Sequence, residues 1–421
     1  MGTFCFSRTW LKLNGFCLLL ASVYSFAQPK SGEFYREYIW TTPDKPENSK
    51  FLRVGGISDY RKEPENYPDL RFYGNNIPLN LDIDLKNAIK AEITIEKVLC
   101  HPGTKNLRIS VNGYEDIVFP GSLAIPEPQE FYTHQIYPTV DLPLNILRSG
   151  KENYFSLQVD TNIYWPQNLI YGVIFRIYYD SSYTKNMICL TVIGQDEEKI
   201  SLGINGEDRN ISSVDFIANY EGPDLDGDGI YNDWHYHYHR GKIINHVGTS
   251  YTEPFHVDWI VSWVPDQEDP VLLSARINFK DGLIWFLPET KLDLKRETYS
   301  VKLCKPEKVG REWLTREGVK QEEFVFNGDV EKITHAKMVF TSWSPGYLNG
   351  IYINDFVVFT REGDKYAFMQ HEIPIEHIDV FSEGKNILST GQTPMYHGKN
   401  VHGTEIMWPG IMVLIKSTKN K

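Results

Sequence analysis

Apolar and polar residues alternate in short runs along most of this chain, and Gly, Pro, Asn and Asp break the runs at close intervals. Asn106-Leu-Arg-Ile-Ser-Val-Asn112 and Leu169-Ile-Tyr-Gly-Val-Ile-Phe-Arg-Ile177 are typical, rich in the β-branched and aromatic residues that fit a pleated surface. No segment carries the longer period of an extended amphipathic helix. The pattern predicts an all-β chain. Aromatic residues make up 14% of the sequence, which fits sandwich cores and, less often, exposed platforms on which sugars stack.

The predicted strands contain a repeat. The first copy runs Ile109-Ser-Val-Asn-Gly113, Val140-Asp-Leu142, Ser149-Gly-Lys-Glu-Asn153 and Trp165-Pro166, then a closing strand ending near Ile177. The second runs Ile351-Tyr-Ile-Asn-Asp355, Ile378-Asp-Val380, Glu383-Gly-Lys-Asn386 and Trp408-Pro-Gly410, then the strand Ile411 to Ile415. Each copy reads as a strand, a tight Asn-containing turn, a later Gly-Lys turn ending in Asn, and a strand that completes the sheet.

This order resembles the galactose-binding-like jelly roll found as an accessory module in secreted carbohydrate-active proteins, over roughly residues 70–180 and 325–417. Between the copies, Val214-Asp-Phe-Ile-Ala-Asn-Tyr220, Pro254-Phe-His-Val-Asp-Trp259, Val264-Pro-Asp-Gln267 and Ser274-Ala-Arg-Ile-Asn-Phe-Lys-Asp-Gly282 follow the strand order of bacterial immunoglobulin-like modules. The resemblances imply two jelly-roll β-sandwiches flanking an immunoglobulin-like β-sandwich. The expected units are a leader at 1–27, a jelly roll at 28–182, the immunoglobulin-like sandwich at 183–305 and a second jelly roll at 306–421.

Residues 1–27 read as a secretory signal peptide: Arg8 and Lys12 form the basic start, Phe16 to Tyr24 the apolar core, and Ser25-Phe26-Ala27 the small-x-small cleavage site. The expected location is the periplasm or the exterior. No later apolar run approaches the roughly 20 residues of a membrane span. Without the leader, 41 Lys plus Arg face 55 Asp plus Glu, a net charge of −14. That balance argues against nucleic acid or an anionic membrane surface as the main partner, while local basic clusters or bound cations still permit an acidic polysaccharide. Cys100, Cys189 and Cys304 remain, enough for one disulfide at most and without a cysteine metal motif.

The chemistry-bearing stretch is Asp224-Leu-Asp-Gly-Asp-Gly-Ile-Tyr-Asn-Asp-Trp-His-Tyr-His-Tyr-His239, an insertion within the immunoglobulin-like pattern. Asp224, Asp226 and Asp228 offer hard oxygen ligands at positions 1, 3 and 5, Gly229 permits a sharp turn, and the Ile230 carbonyl can contribute at position 7. Asn232 and Asp233 can complete a shell for Ca²⁺. Position 12 is His235 where an EF-hand has glutamate, so the loop is closer to the calcium loops of thrombospondin-type extracellular modules. The bland alternative is an Asp/Gly-rich turn that binds nothing.

In an extended strand His235, His237 and His239 share one face and Tyr236 and Tyr238 the other. Neighbours on a face lie roughly 6.6 Å apart and the outer pair roughly 13 Å, so adjacent members can grip one transition metal but all three converge only if the strand bends. His246 is a further possible ligand. The competing reading is a polar strand face whose rings are satisfied by backbone carbonyls or stack on Trp234.

Serine-hydrolase, cysteine-protease, P-loop, dinucleotide and His-Glu-x-x-His signatures are absent. Two functional expectations follow. One is a secreted protein of polysaccharide recognition and degradation, binding carbohydrate through its jelly rolls, with a calcium-stabilised loop and aromatics such as Trp165, Trp234, Trp343 and Trp408 against the sugar. The other is a carbohydrate-active enzyme, a uronate lyase or dehydratase or a metal-assisted glycoside hydrolase, with His235, His237, His239, Tyr238 (or Tyr236) and Arg240 as its catalytic set. Asp258 and Asp281 are weaker carboxylate candidates, because such residues commonly end strands or make turns.

Overall fold

A computed structural model describes residues 28–41, 52–55, 77–99, 105–114, 116–121, 135–160, 166–180, 188–206, 208, 210–309, 319–343, 350–360, 368–391 and 405–419. The fold is all-β, with helical structure among these residues confined to 3₁₀ turns such as Leu144–Ile146 and Ile378–Val380. None of the described helices is long and apolar enough to cross a membrane.

The largest sheet runs through two of the expected units. Its path is Asn232–Trp234, Ile211–Glu221, Val271–Phe279, Leu283–Phe286, Phe34–Thr41, Pro166–Tyr179, Ala88–Leu99 and Gln135–Ile136. The splice between the N-terminal and middle parts is the antiparallel pairing of Phe34 with Trp285 and Arg36 with Leu283, reinforced by stacking of the Phe34 and Trp285 rings at 5.1 Å. A continuous ladder of backbone hydrogen bonds therefore spans the expected boundary at 182/183, and these two units are joined as one sheet.

Facing sheets complete the sandwiches. Ile77–Leu79, Asn153–Asp160, Lys105–Val111 and Ile117–Val118 cover the N-terminal half, burying Ile109, Val111 and Phe155 against Ile93, Val173 and Phe175. Cys189–Gln195, Lys199–Asn205 and His256–Ile260 cover the middle part. The C-terminal sandwich has its own two sheets, one containing Ile333–Trp343 and Met412–Thr418, the other Lys320–Phe326 and Gly384–Thr390, around a core that includes Phe324, Met338, Phe340 and Val413. Cys189 is exposed and Cys304 buried, and both are free; Cys100 lies outside the described residues, as do residues 1–27.

The repeat seen in the sequence is a side-chain clasp. Asn112 Nδ2 donates to Asn153 Oδ1 at 2.8 Å and to the Ile146 carbonyl at 2.7 Å, and Asn112 Oδ1 accepts from the Tyr154 N–H at 3.0 Å. In the second sandwich Asn354 Nδ2 donates to Asn386 Oδ1 at 2.8 Å and to the Val380 carbonyl at 2.9 Å, and its Oδ1 accepts from the Ile387 N–H at 2.9 Å. Asn112 and Asn354 have φ of 52° and 48°, a left-handed conformation that asparagine tolerates better than most residues. Backbone demand and side-chain bonding both select Asn, which is why two copies with little else in common keep it.

Candidate functional site

The insertion after Glu221 lies where the three sandwiches meet. Its acidic half is a tight loop whose carboxylates fold the backbone around themselves. Asp224 Oδ1 accepts from the N–H groups of Gly227 and Asp228 at 2.7 and 3.2 Å, Asp224 Oδ2 from Gly229 at 2.6 Å, and Asp228 Oδ1 from Ile230 at 2.7 Å. Gly227 and Gly229 have φ of 74° and 86°, which a side chain would oppose. Ligand oxygens of Asp224, Asp226 and Asp228 all lie within 4.8 Å of one another, with Asp224 and Asp228 buried.

Burial and mutual repulsion push the Asp224 carboxyl well above the usual range and raise Asp226 to about 7 and Asp228 to about 8. Burial, with Asp228 nearby, raises Asp233 to about 7. Among the described residues no lysine or arginine is ion-paired with any of the four. Asn232 is exposed on the edge strand Asn232–Trp234, and Ile230 is half-buried. The donors are hard carboxylate oxygens on a sharply turned backbone, and the charge they concentrate is that which a divalent cation neutralises, so the set fits Ca²⁺.

The same loop is a joint. Leu225 and Tyr231 pack with Val339, Met412 and Leu414 on the outer face of a C-terminal sheet, and the Leu225 carbonyl accepts from Thr341 Oγ1 at 3.3 Å.

The histidines diverge. His235 Nε2 lies 2.8 Å from the Tyr220 carbonyl, to which it donates, and its ring occupies the space beside Gly222 where a Cβ would come within 2.8 Å of it. His237 Nε2 accepts from Asn245 Nδ2 at 2.7 Å, and Asn245 also donates to Gln370 of the C-terminal sandwich. His239 Nδ1 donates to Glu96 Oε1 at 2.7 Å, while Glu96 Oε2 accepts from the Arg240 N–H at 2.8 Å. Burial lowers His235 to about 4 and His237 to about 3, so both are neutral. The regular strand expected over the whole run is confined to His237–His239, which pairs with Lys242–Ile244 through a two-residue turn at Arg240 and Gly241. Among the described residues Asp224, Asp226 and Asp228 come together as a metal-ligand grouping and the three histidines do not.

The tyrosines do share a face. Tyr236 and Tyr238 are buried against Tyr35, Ile174, Tyr178, Ile217 and Phe286 on the outer face of the long sheet. Burying side chains of this size contributes about 1.5–3 kcal/mol each. It also seals a ladder of charge that register places across the strands: Asp215 opposite Arg276, Glu37 opposite Arg176, and Arg176 opposite Glu92. Glu37 accepts from Arg176 Nε at 2.8 Å, from Arg276 at 2.7 Å and from the Tyr238 hydroxyl at 2.5 Å. Those partners hold its carboxyl below the usual range although burial alone would raise it.

A cavity of about 40 Å³ remains beneath the insertion, lined in part by Gln28, Arg176, Asp226, Tyr236 and His237. That space suits a few waters and is too small for a sugar ring. The Tyr236 hydroxyl is buried with no hydrogen-bond partner.

Other predicted residues scatter. Trp234 packs edge-on against Phe286 at 5.3 Å, Trp343 is 3% exposed, and Trp408 is half-buried before a cis proline. The burial of Trp343 removes it as a sugar platform; it packs with Leu169, Tyr171 and Met407 where two sandwiches touch. Trp165 lies outside the described residues. Asp258 is an exposed partner of Lys199 and Ser201, Asp281 caps the turn into Leu283–Phe286, and His246 bonds Thr249 rather than joining the other histidines. Sequence reasoning missed Glu37, Glu92, Glu96, Arg176 and Arg276, whose only signal was a charge inside an otherwise apolar strand.

These features define an all-β protein of several sandwiches with an acidic and histidine-rich insertion at their junction. No family model matches the chain, and no curated protein matches it. Among solved structures, it is similar to a glycoside hydrolase family 86 protein in complex with neoagarooctaose, seen as a variant and as wild type, each at 13% identity and a TM-score of 0.22. These overlaps cover 55% and 56% of this chain and 34% of the other. A β-porphyranase of the same family from the human gut bacterium Bacteroides plebeius gives 9% identity, a TM-score of 0.20, and coverage of 56% and 37%. The chain thus spans about a third of the length of those proteins, and overlaps of this quality carry no argument about topology or chemistry.

Proposed function

We propose that this is an exported polysaccharide-recognition protein of the periplasm or cell exterior, with its jelly rolls as carbohydrate-binding modules and a calcium-stabilised acidic loop between them. The observation that carries the reading is the duplicated Asn clasp: Asn112 with Asn153 and Asn354 with Asn386 hold equivalent turns, in the pattern that resembles galactose-binding-like modules. The four carboxylates from Asp224 to Asp233, with no lysine or arginine ion-paired to them among the described residues, support calcium. Bound there, the ion would be held by Asp224, Asp226 and Asp228 with the Ile230 carbonyl, Asn232 and Asp233 as further donors, and its contribution is charge neutralisation rather than chemistry.

Titration of the mature protein with neutral and acidic oligosaccharides by calorimetry, with and without a calcium chelator, tests the reading. Saturable binding supports it, and absence of binding to every sugar sinks it. Metal analysis of the purified protein separates calcium from a transition metal, and sequencing of its N-terminus checks cleavage before Gln28.

A further inference from the structure

We propose that calcium in the acidic loop works as a latch, fixing the C-terminal sandwich against the other two. This rests on the calcium reading of the loop and is independent of whether either sandwich binds sugar. The N-terminal and middle sandwiches share one sheet, so a ladder of backbone hydrogen bonds fixes their relation. Among the described residues no strand of the C-terminal sandwich, from Tyr299–Cys304 onward, pairs with a strand of the other two. It is held mainly by side-chain packing, which can slide or part without breaking a sheet. Two clusters provide that packing: Trp343 and Met407 against Leu169 and Tyr171, and the acidic loop against the outer face of a C-terminal sheet.

Ion ligands and docking contacts alternate along the loop. The Asp224 N–H donates to Sδ of the fully buried Met412 at 3.2 Å. Leu225 packs beside Met412, and its carbonyl accepts from Thr341 Oγ1 at 3.3 Å and lies 3.5 Å from Gln370 Nε2. Asp226 follows as the next ligand. The Asp224 carboxylate is bound to the N–H groups of Gly227, Asp228 and Gly229, so the turn cannot rearrange its carboxylates without moving Leu225. With the ion, the charges are neutralised in the geometry that seats Leu225. Without it, ligand oxygens within 4.8 Å of one another repel, and an opened turn withdraws the contact.

A second feature, independent of the acidic cluster, points to a ligand at the same place. The Tyr236 hydroxyl is buried, has no hydrogen-bond partner and lines the cavity of about 40 Å³ that Asp226 and His237 also line. That space admits a water from the shell of a calcium ion at Asp226, with Tyr236 as its hydrogen-bond partner. The far wall of the cavity leads to the C-terminal sandwich as well: His237 Nε2 accepts from Asn245 Nδ2 at 2.7 Å, and the same amide donates to Gln370 Oε1 at 3.0 Å. Both routes from the ion, through Leu225 and through His237, end on Gln370.

The test uses the full mature protein, stripped of metal and titrated with calcium alone. Calorimetry reads the affinity, small-angle scattering the radius of gyration, and hydrogen exchange the cover over the strand Phe368–Ile375. Removing calcium is expected to enlarge the radius and speed exchange on that strand, and adding it back to reverse both. Linkage makes the coupling reciprocal, so whatever calcium does for docking, docking does for calcium. Gln370→Ala and Leu225→Ala remove no ligand side chain, yet each is expected to weaken calcium binding about 5-fold or more and to enlarge the calcium-loaded protein, with a cooperative unfolding transition showing that it is folded. Asp226→Asn is expected to lose calcium binding and keep the metal-free dimensions. Calcium binding that leaves scattering and exchange unchanged, with Gln370→Ala binding as wild type does, overturns the latch and leaves the calcium loop standing. Failure of the wild type to bind calcium overturns the calcium reading and the latch with it.

Discussion

Two buried charged regions sit on either side of the same insertion and behave in opposite ways. In the ladder, Glu37 and Glu92 face Arg176 and Arg276, and the Glu37 carboxyl stays below its ordinary range. In the acidic loop, Asp224, Asp226, Asp228 and Asp233 face one another, and every one is pushed up. Burial is similar in both; the difference is the sign of the neighbours. A buried carboxylate stays ionised when register delivers an arginine, and otherwise needs a proton or a cation from outside. The ladder is closed within the fold, whereas the loop is open to an ion.

The largest expected effect comes from breaking the closed side. Arg176→Leu takes from Glu92 its buried arginine and from Glu37 one of its two, and is expected to cost about 3–5 kcal/mol, read as a lower midpoint in denaturant unfolding. The mild Lys90→Ala change beside Glu92 provides a control with little expected shift, since that contact is at 3.9 Å and partly exposed.

Next is the response of the open side to a calcium chelator, given the proposed ion. At a hundredfold excess over its dissociation constant the ion contributes about 2.7 kcal/mol, so a chelator is expected to lower the unfolding temperature, and Asp226→Asn to abolish the chelator's effect. The pH dependence has a definite sign. Folded-state values near 7 and 8 lie above the ordinary aspartate value of 3.8, so without the ion these carboxyls stabilise at low pH and lose that contribution as pH rises through about 7–8. The chelator effect is therefore expected to be larger above about pH 8 than below about pH 4. A chelator effect independent of pH would break the comparison.

The histidines titrate the other way. His237 at about 3 and His235 at about 4 lie below their ordinary 6.5, so the unfolded chain binds protons first and stability falls as pH drops below about 6.5. His237→Gln is expected to flatten that part of the profile. Smaller still, and equal in both sandwiches, are the clasps: Asn112→Ala and Asn354→Ala are each expected to cost about 1–3 kcal/mol of local stability, read by hydrogen exchange at Tyr154 and Ile387. Removing Asp258, exposed beside Lys199, is expected to leave unfolding unchanged within error.

How much was legible varies with how local the cause is. The clustering of Asp224, Asp226 and Asp228 is readable because these carboxylates come from one short turn, whose N–H groups donate to Asp224 and Asp228, and five residues suffice to specify it. The clasps were readable as a repeat because each needs Asn in a particular turn. The geometry of the histidine run was only half readable: strand alternation put both tyrosines on one face, yet each histidine then met a different partner, Tyr220, Asn245 or Glu96. The ladder was not readable, because Glu37 and Arg176 are far apart in sequence and meet only through strand register.

The sequence by itself determined the all-β class, the duplicated Asn turns and the clustering of carboxylates in the acidic loop, since alternation, turn conformation and short-range side-chain geometry depend on neighbours along the chain. Tertiary structure alone decided that two sandwiches share one sheet, that the ladder is charge-balanced while the loop is not, and that Glu96 reaches His239. Those outcomes depend on which strands pair and in what register, and on which face the insertion seals from water.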